Sequence, residues 1–250
     1  MFDLTDKVVV ITGGAGKLGQ KHAEAVAEFK AVPILLDLSL EQAEIASTRI
    51  TKEYGVKSLG LEVDITNESQ VVQCCQNLLN EFGKIDVLIN NAGVNKIDSI
   101  DKIEEDDWDW INHVNLRGPF LLTKAVSEIM KKKGQGKIVN ISSIFGEVSK
   151  PKRVAYSTTK WGLIGFTKAV ALDLAPYNIL VNAVSPGFVD TQLTRSILGE
   201  KGIKEITETI PQKRLATVEE IAKTVVFLAS DHNTYITGQN IIVDGGFTSA

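Results

Sequence analysis

Short runs of Val, Ile and Leu alternate with amphipathic stretches along the chain. The runs at Val8–Ile11, Ile34–Leu36, Leu59–Val63, Val87–Ile89, Ile138–Ile141, Leu180–Val184 and Asn240–Val243 show no polar alternation. A strand with one wet face would be polar at every second residue, so these runs predict strands covered on both faces. Between them, apolar residues recur at helical spacing near 18–30, 40–54, 68–82, 104–132, 155–175 and 217–229. Asn67 stands where an N-cap would open the third stretch, and Thr217 with Glu220 fits a capping box. Repeated strand–helix alternation implies parallel strands joined by right-handed crossovers. The pattern predicts an α/β fold, a doubly wound three-layer sandwich around a parallel sheet of about seven strands.

No linker, low-complexity tract or charge block divides the chain, so one domain is expected over residues 1–250. The least regular part, about 188–212, follows Pro186-Gly187 and contains Gly199, Gly202 and Pro211. It is expected to be a mobile flap holding short helices.

Composition narrows the function classes. With 44% hydrophobic and 23% charged residues, the chain can bury a large core without metal or disulfide staples. The net charge of −4 comes with mixed signs throughout and no strongly basic face, which argues against a nucleic-acid partner. The two cysteines, Cys74 and Cys75, are adjacent, a poor arrangement for a disulfide, and no second pair exists to complete a zinc site. They read as helix residues in a reducing compartment. The first residues carry Asp3 and Asp6 without a long apolar core, and no apolar run approaches the roughly 18 residues that span a bilayer. Cytoplasmic residence with no membrane partner is the expectation.

The first apolar run leads directly into Thr12-Gly13-Gly14-Ala15-Gly16-Lys17-Leu18-Gly19 and then a helix. Glycines in such a place permit a tight turn, close approach of backbone to a pyrophosphate and close helix–strand packing. The helix N-terminus adds free N–H groups and a positive dipole end. Residues 14–19 match G-x-G-x-x-G, which points to a Rossmann-like dinucleotide site when a strand precedes it and a helix follows. A phosphate-binding P-loop is excluded, because Leu18 stands where a magnesium-binding hydroxyl is required. The second strand ends at Asp37, 18 residues after Gly19. An acid there can accept hydrogen bonds from an adenosine ribose and repel a 2′-phosphate, which favours NAD over NADP. Lys17 pulls the other way and keeps NADP open. Asp64-Ile65 and Asn90-Asn91-Ala92-Gly93 end the third and fourth strands, at the sheet edge where open α/β folds bind ligands. For Asp64, a capping or loop role competes with adenine contact.

Tyr156 and Lys160 lie four apart in a helical stretch and share a face. A phenol is a poor base at neutral pH, and a neighbouring ammonium moves its pKa toward the working range. Ser142 and Ser143, at the end of the fifth strand, offer hydroxyls to hold a substrate oxygen while Tyr156 gives or takes its proton. Pro119 falls four residues after Asn115 within a helical stretch. Proline has no N–H, so the Asn115 carbonyl loses its usual donor and could accept from a relay water that reaches Lys160; a simple kink is the competing outcome.

Together these residues resemble the classical branch of the short-chain dehydrogenase/reductase family over essentially the whole chain. The resemblance rests on Thr12–Gly19, Asp64, Asn90-Asn91-Ala92-Gly93, Asn115, Ser143, Tyr156-x-x-x-Lys160, Pro186-Gly187 with Thr191, and Val243-Asp244-Gly245-Gly246. It implies that Ser143, rather than Ser142, orients a carbonyl and that Tyr156 is the general acid/base. Lys160 would bind the nicotinamide ribose and lower the tyrosine pKa, and Asn115 would help hold a water in a proton relay. Pro186, Gly187, Val189 and Thr191 would hold the nicotinamide carboxamide. Gly13, Gly16, Lys17, Leu18, Gly19, Asp37, Asp64, Ile65, Asn91 and Gly93 would complete the cofactor site with Tyr156 and Lys160. One departure matters: the family pattern T-G-x-x-x-G-x-G places a glycine where this chain has Lys17. Gly16 would then compensate by letting the backbone turn sooner, with Lys17 projecting toward the adenosine.

The resulting expectation is hydride transfer between NAD(H) and a small polar secondary alcohol or ketone, a sugar derivative being one option. An NADPH-dependent 3-oxoacyl-carrier-protein reductase shares nearly all these motifs and is the rival enzyme. A redox-sensing binding protein that has lost turnover is the rival from another class. Lys150-Pro151-Lys152-Arg153 precedes Tyr156, with Phe145 and Glu147 on the same loop. Its cations could steer an anionic substrate or simply be solvated surface; Arg153 is the best single candidate, with Ser143 and Phe145 as further substrate contacts. The resemblance also implies a homotetramer or homodimer, with Trp108 and Trp110 at an interface or in the core and the segment from Tyr235 to Gly246 near another contact.

Overall fold

The computed structural model describes residues 2–249. Its strands and helices follow in the order β1 (Val8–Thr12), α1 (Lys17–Glu28), β2 (Val32–Asp37), α2 (Leu40–Tyr54), β3 (Leu59–Glu62), α3 (Glu68–Phe82), β4 (Val87–Asn90) and α4 (Glu105–Asn112). Then come α5 (Gly118–Lys133), β5 (Gly136–Ile141), α6 (Val154–Leu174), β6 (Ile179–Pro186), α7 (Gln192–Thr209), α8 (Val218–Ala229) and β7 (Asn240–Val243). All seven strands are parallel in one sheet ordered β3-β2-β1-β4-β5-β6-β7. The order reverses direction at β1, between β2 and β4. A doubly wound sheet opens a crevice at such a switch, beyond the carboxyl ends of the strands.

The predicted strands lack alternation because each face of the sheet has its own helical layer. Val9 and Ile11 of β1 pack with Val26 of α1 and Val225 of α8 on one side. Val8 and Val10 point the other way, toward Leu78 of α3 and Leu122 of α5. Successive side chains thus enter two different apolar layers. The caps form as the spacing suggests. Asn67 Oδ1 accepts from the Ser69 and Gln70 amides at 3.1 and 3.3 Å, and Thr217 and Glu220 make the reciprocal capping box. Cys74 and Cys75 are buried free thiols on α3, and burial pushes them up to about 11 and about 12, which leaves little thiolate at neutral pH.

One expectation takes a different form. The stretch 104–132 is not one regular α-helix, because α4 and α5 are joined by a π turn over His113–Arg117. In that turn the Gly118 amide reaches back to the His113 carbonyl, and Pro119, the second residue of α5, has no N–H to offer the Asn115 carbonyl. The segment 188–212 contains α7, whose two short helical parts meet at Gly199 with φ 62°.

Under the crevice the sheet carries a buried polar chain. Asn90 Nδ2 donates to Asn140 Oδ1 at 2.8 Å across β4 and β5, and Asn140 Nδ2 donates to Thr167 Oγ1 of α6 at 2.9 Å. This ties the long helix α6 to the strands that end at the crevice. We expect Asn140→Ala, which strands donors and acceptors on both neighbours, to lower stability by about 2 kcal/mol in urea unfolding. A loss within 0.5 kcal/mol, the ordinary range of a surface change, would show that the chain contributes little.

Candidate active site

The first wall of the crevice comes from the β1–α1 turn. Gly13 has φ 61°, a conformation that side chains resist, and a Cβ on Gly19 would stand 2.2 Å from the Gly13 carbonyl oxygen. These two glycines make the turn. The Gly16 amide closes it by donating to the Gly13 carbonyl at 3.1 Å, but a φ of −70° is open to any residue, so Gly16 does not compensate for Lys17 through backbone freedom. It is the N-cap of α1 with no side-chain cap, which leaves the helix N-terminus open toward the crevice.

The second wall comes from the end of β4, and the two walls are clamped together. Asn91 Nδ2 donates to the carbonyls of Thr12 and Gly13 at 2.9 and 3.2 Å, while the Asn91 and Ala92 amides both donate to Thr12 Oγ1 at 3.0 Å. The Asn91 side chain is therefore committed to holding the glycine turn, and only the residue's remaining surface lines the cleft. Gly93 follows with space beside it; a Cβ there would lie 3.4 Å from Lys160 Nζ and 3.6 Å from Asn115 Oδ1.

Gly13, Asp37, Asp64, Ile65 and Gly93 border one end of the crevice. Asp37 Oδ2 accepts from the Ala15 amide at 2.9 Å, while Oδ1 has only a long contact of 3.4 Å from the Ser39 amide. One carboxylate oxygen thus shapes the glycine turn and the other faces outward. Asp64 takes the loop role: Oδ1 accepts from both the amide and the hydroxyl of Thr66 at 2.8 and 2.7 Å. Lys17 departs from expectation. Its Nζ reaches the Asp190 carbonyl at 3.4 Å, in the segment after β6, and it does not border the Asp37 end of the crevice.

The other end is a cleft of about 550 Å³ that shares Gly93, Val94 and Trp110 with the first. Leu18, Ser143, Phe145, Arg153, Tyr156, Lys160, Pro186, Gly187, Val189 and Thr191 all line it. Tyr156 and Lys160 share one face of α6, with Lys160 Nζ 5.5 Å from the phenol ring centroid. Ser142 and Ser143 separate cleanly. Ser142 Oγ donates to the Lys160 carbonyl at 3.0 Å and supports α6, whereas Ser143 lies beside the Tyr156 side chain, where its hydroxyl favours the phenolate.

Burial sets the acid–base character of this end. Lys160 is 3% exposed, its ammonium donates to the Ile141 carbonyl at 2.9 Å, and burial pushes its pKa down to about 8. Burial likewise raises the Tyr156 pKa, opposed by the Ser143 hydrogen bond and then by the Arg153 charge. Arg153 thus adds a second cation beside the phenol, whose ring centroid lies 5.5 Å from Lys160 Nζ. Asn115 has a side-chain task besides the one expected of its carbonyl. Its side chain exchanges hydrogen bonds with the Val94 backbone at 2.8 and 2.9 Å and donates to Thr159 Oγ1 at 3.1 Å, so the amide staples the wall. Thr191 caps α7 by accepting from the Thr194 amide at 3.1 Å.

Sequence patterns missed the aromatic wall. Phe145 meets Tyr156 edge-on at 6.2 Å, Phe188 meets Phe145 at 6.3 Å, and Phe247 meets Phe188 at 5.3 Å. These rings come from four separate segments, so no local spacing could announce them. Trp110, half exposed, stands at the cleft rim, and Trp108 is partly buried. No group of three metal-ligating side chains occurs among the described residues, and no described helix is long and apolar enough to cross a membrane.

The comparisons with known proteins agree in kind with this geometry. The family model described as "Enoyl-(Acyl carrier protein) reductase" matches residues 14–248. A 3-oxoacyl-acyl-carrier-protein reductase of Aquifex aeolicus (strain VF5) is 40% identical over 97% of this chain and 98% of its own. An NAD-dependent glycerol dehydrogenase of Listeria innocua is 35% identical over 99% and 96%. The crystal structure of a gluconate 5-dehydrogenase from Burkholderia cenocepacia J2315, in complex with NADP and tartrate, superposes with a TM-score of 0.96 at 32% identity, covering 100% of this chain and 98% of that one.

A lysine held near pH 8 in the fold titrates near 10.5 when unfolded, so the unfolded chain binds more protons between these values. Its contribution to stability therefore rises with pH across that window and is lost as pH falls through 8. We expect Lys160→Met to gain on the wild type at pH 7 and to lose that advantage by pH 9.5, read as the difference in urea midpoints. A pH-independent difference would contradict the burial of the ammonium.

Proposed function

Because the chain belongs to the classical short-chain dehydrogenase/reductase family, we propose that it is an NAD(H)-dependent enzyme interconverting a small polar secondary alcohol and its ketone. The enzyme class follows from membership: a nicotinamide dinucleotide is the cofactor, and alcohol or carbonyl groups react. The observation that carries the narrower reading is that Ser143, Tyr156 and Lys160 border one cleft continuous with a crevice ending at Asp37. The open N-terminus of α1 and the bare Gly93 are the features a pyrophosphate and a nicotinamide ribose require.

When bound, the nicotinamide supplies or accepts the hydride. Ser143 Oγ holds the substrate oxygen, and the Tyr156 hydroxyl gives a proton to that oxygen in reduction or takes it in oxidation. Lys160, buried beside the phenol, would hold the ribose hydroxyls and return a proton to Tyr156. Pro119 denies the Asn115 carbonyl its usual intrahelical donor, which supports a path for the proton beyond Lys160. The aromatic wall excludes water from the reacting atoms.

The outward oxygen of Asp37 supports NAD, since its charge repels a 2′-phosphate. Lys17, the one residue that argued for the phosphate, is directed at Asp190. The second reading, an NADPH-dependent 3-oxoacyl-carrier-protein reductase, is favoured by the 40% identical relative. For assembly, exposed Phe120, Trp161 and Leu172 on α5 and α6 support a homo-oligomer, to be checked by sedimentation.

Titration of the purified protein should give NADH binding tighter than NADPH by on the order of tenfold; the reverse order would favour the second reading. Tyr156→Phe should lower kcat by roughly 10²–10⁴ while leaving the NADH Kd within about twofold. A variant that keeps full turnover would remove Tyr156 from the chemistry, whereas an inactive parent that still binds NADH would favour a sensing role.

A further inference from the structure

Arg153 carries a charge that the fold buries without neutralising. The residue is 8% exposed, and its Nε has no hydrogen-bond partner among the described residues. Its Nη1 donates to the Lys152 carbonyl at a long 3.3 Å. Asp98 lies alongside through a backbone bridge, yet among the described residues no carboxylate comes within ion-pair distance of the guanidinium. Lys152, just before it, adopts a left-handed φ of 65° and is exposed, while Arg153 is turned inward. A strained turn that buries a cation demands compensation, because an unpaired buried charge loses its hydration.

The surroundings compensate only in part. The guanidinium carbon lies 5.8 Å from the Phe145 ring centroid, where the ring face attracts a cation. Lys150 brings a second positive charge over Phe145 and Phe188, at 5.7 and 5.6 Å. The cleft wall contains Arg153 and Lys160 and no acidic residue. This half of the crevice is thus electropositive, and its planar, five-donor group faces the space beside Tyr156.

We propose that Arg153 binds a carboxylate of the substrate, so that the enzyme acts on hydroxy and oxo acids whose reacting carbon lies a few bonds from that carboxylate. This rests on the function proposed above and narrows it. Arg153 is the N-cap of α6, whose first turn carries Tyr156; both line the same cleft, and the Arg153 charge acts on the phenol. A guanidinium grips a carboxylate through two parallel bonds, which orients the acid as well as attracting it. A carrier-bound 3-oxoacyl thioester presents a neutral carbonyl at the equivalent distance and leaves the guanidinium unpaired.

Calorimetric titration of malonate and of malonamide into the enzyme–NADH complex tests the pairing without turnover. Malonate should bind at least tenfold more tightly than malonamide, and Arg153→Met should abolish the difference. Tyr156→Phe should keep it. Equal binding of the two probes, or an unchanged preference in Arg153→Met, overturns the proposal. Steady-state reduction of acetoacetate and methyl acetoacetate then separates this idea from the one beneath it. Preference for the acid in the wild type, lost in Arg153→Met mainly through KM, supports both. Turnover of the ester at equal or higher kcat/KM refutes only the carboxylate, and malonate binding with neither ketone reduced counts against the function.

Discussion

Two cations, Lys160 and Arg153, are held in one cleft with no carboxylate in its wall. In a low-dielectric pocket that arrangement sets the proton affinity of everything nearby. Lys160 relies on a backbone carbonyl, and Arg153 on an aromatic ring and a single long hydrogen bond. Between them, the Tyr156 phenol is pulled toward ionisation by Arg153 and Ser143 and away from it by burial. The other end of the crevice carries Asp37 and Asp64. The crevice is therefore polar along its length, positive where the chemistry is proposed to occur and negative where the adenosine end is proposed to sit.

Such a cleft needs a scaffold that does not yield. The reversal of strand order beside β1 opens the crevice, and the Asn91–Thr12 clamp keeps its walls at fixed separation. Below, Asn90, Asn140 and Thr167 lock α6 onto β4 and β5. Above, the rings of Phe145, Phe188 and Phe247 brace the loop after β5 against the chain terminus. Each support joins segments far apart in sequence, so the reacting groups are placed by the whole sheet rather than by one loop.

Several roles changed once neighbours were known. Asp64 and Asn91 sit at strand ends as expected, but their side chains serve loop and clamp. Asn115 lines up beside Lys160, yet its amide is consumed by Val94 and Thr159. Lys17 reaches Asp190 and does not border the Asp37 end of the crevice. Gly16 contributes its amide and no unusual backbone angle to the turn, where Gly13 supplies the positive φ and Gly19 the close approach. A motif states which residue occupies a strand end; hydrogen-bond partners, which come from elsewhere in the chain, state what it does there.

Sequence alone determined the seven strands, the helix caps at Asn67 and Thr217 and the pairing of Tyr156 with Lys160. These depend on periodicity and on spacings of a few residues, which local geometry dictates. The order of strands, the choice of Ser143 over Ser142 on contact grounds, the aromatic wall and the burial of Arg153 emerged only in three dimensions. They arise from contacts between remote segments, and burial, which decides whether a charge is solvated surface or part of a site, is a property of the packed molecule.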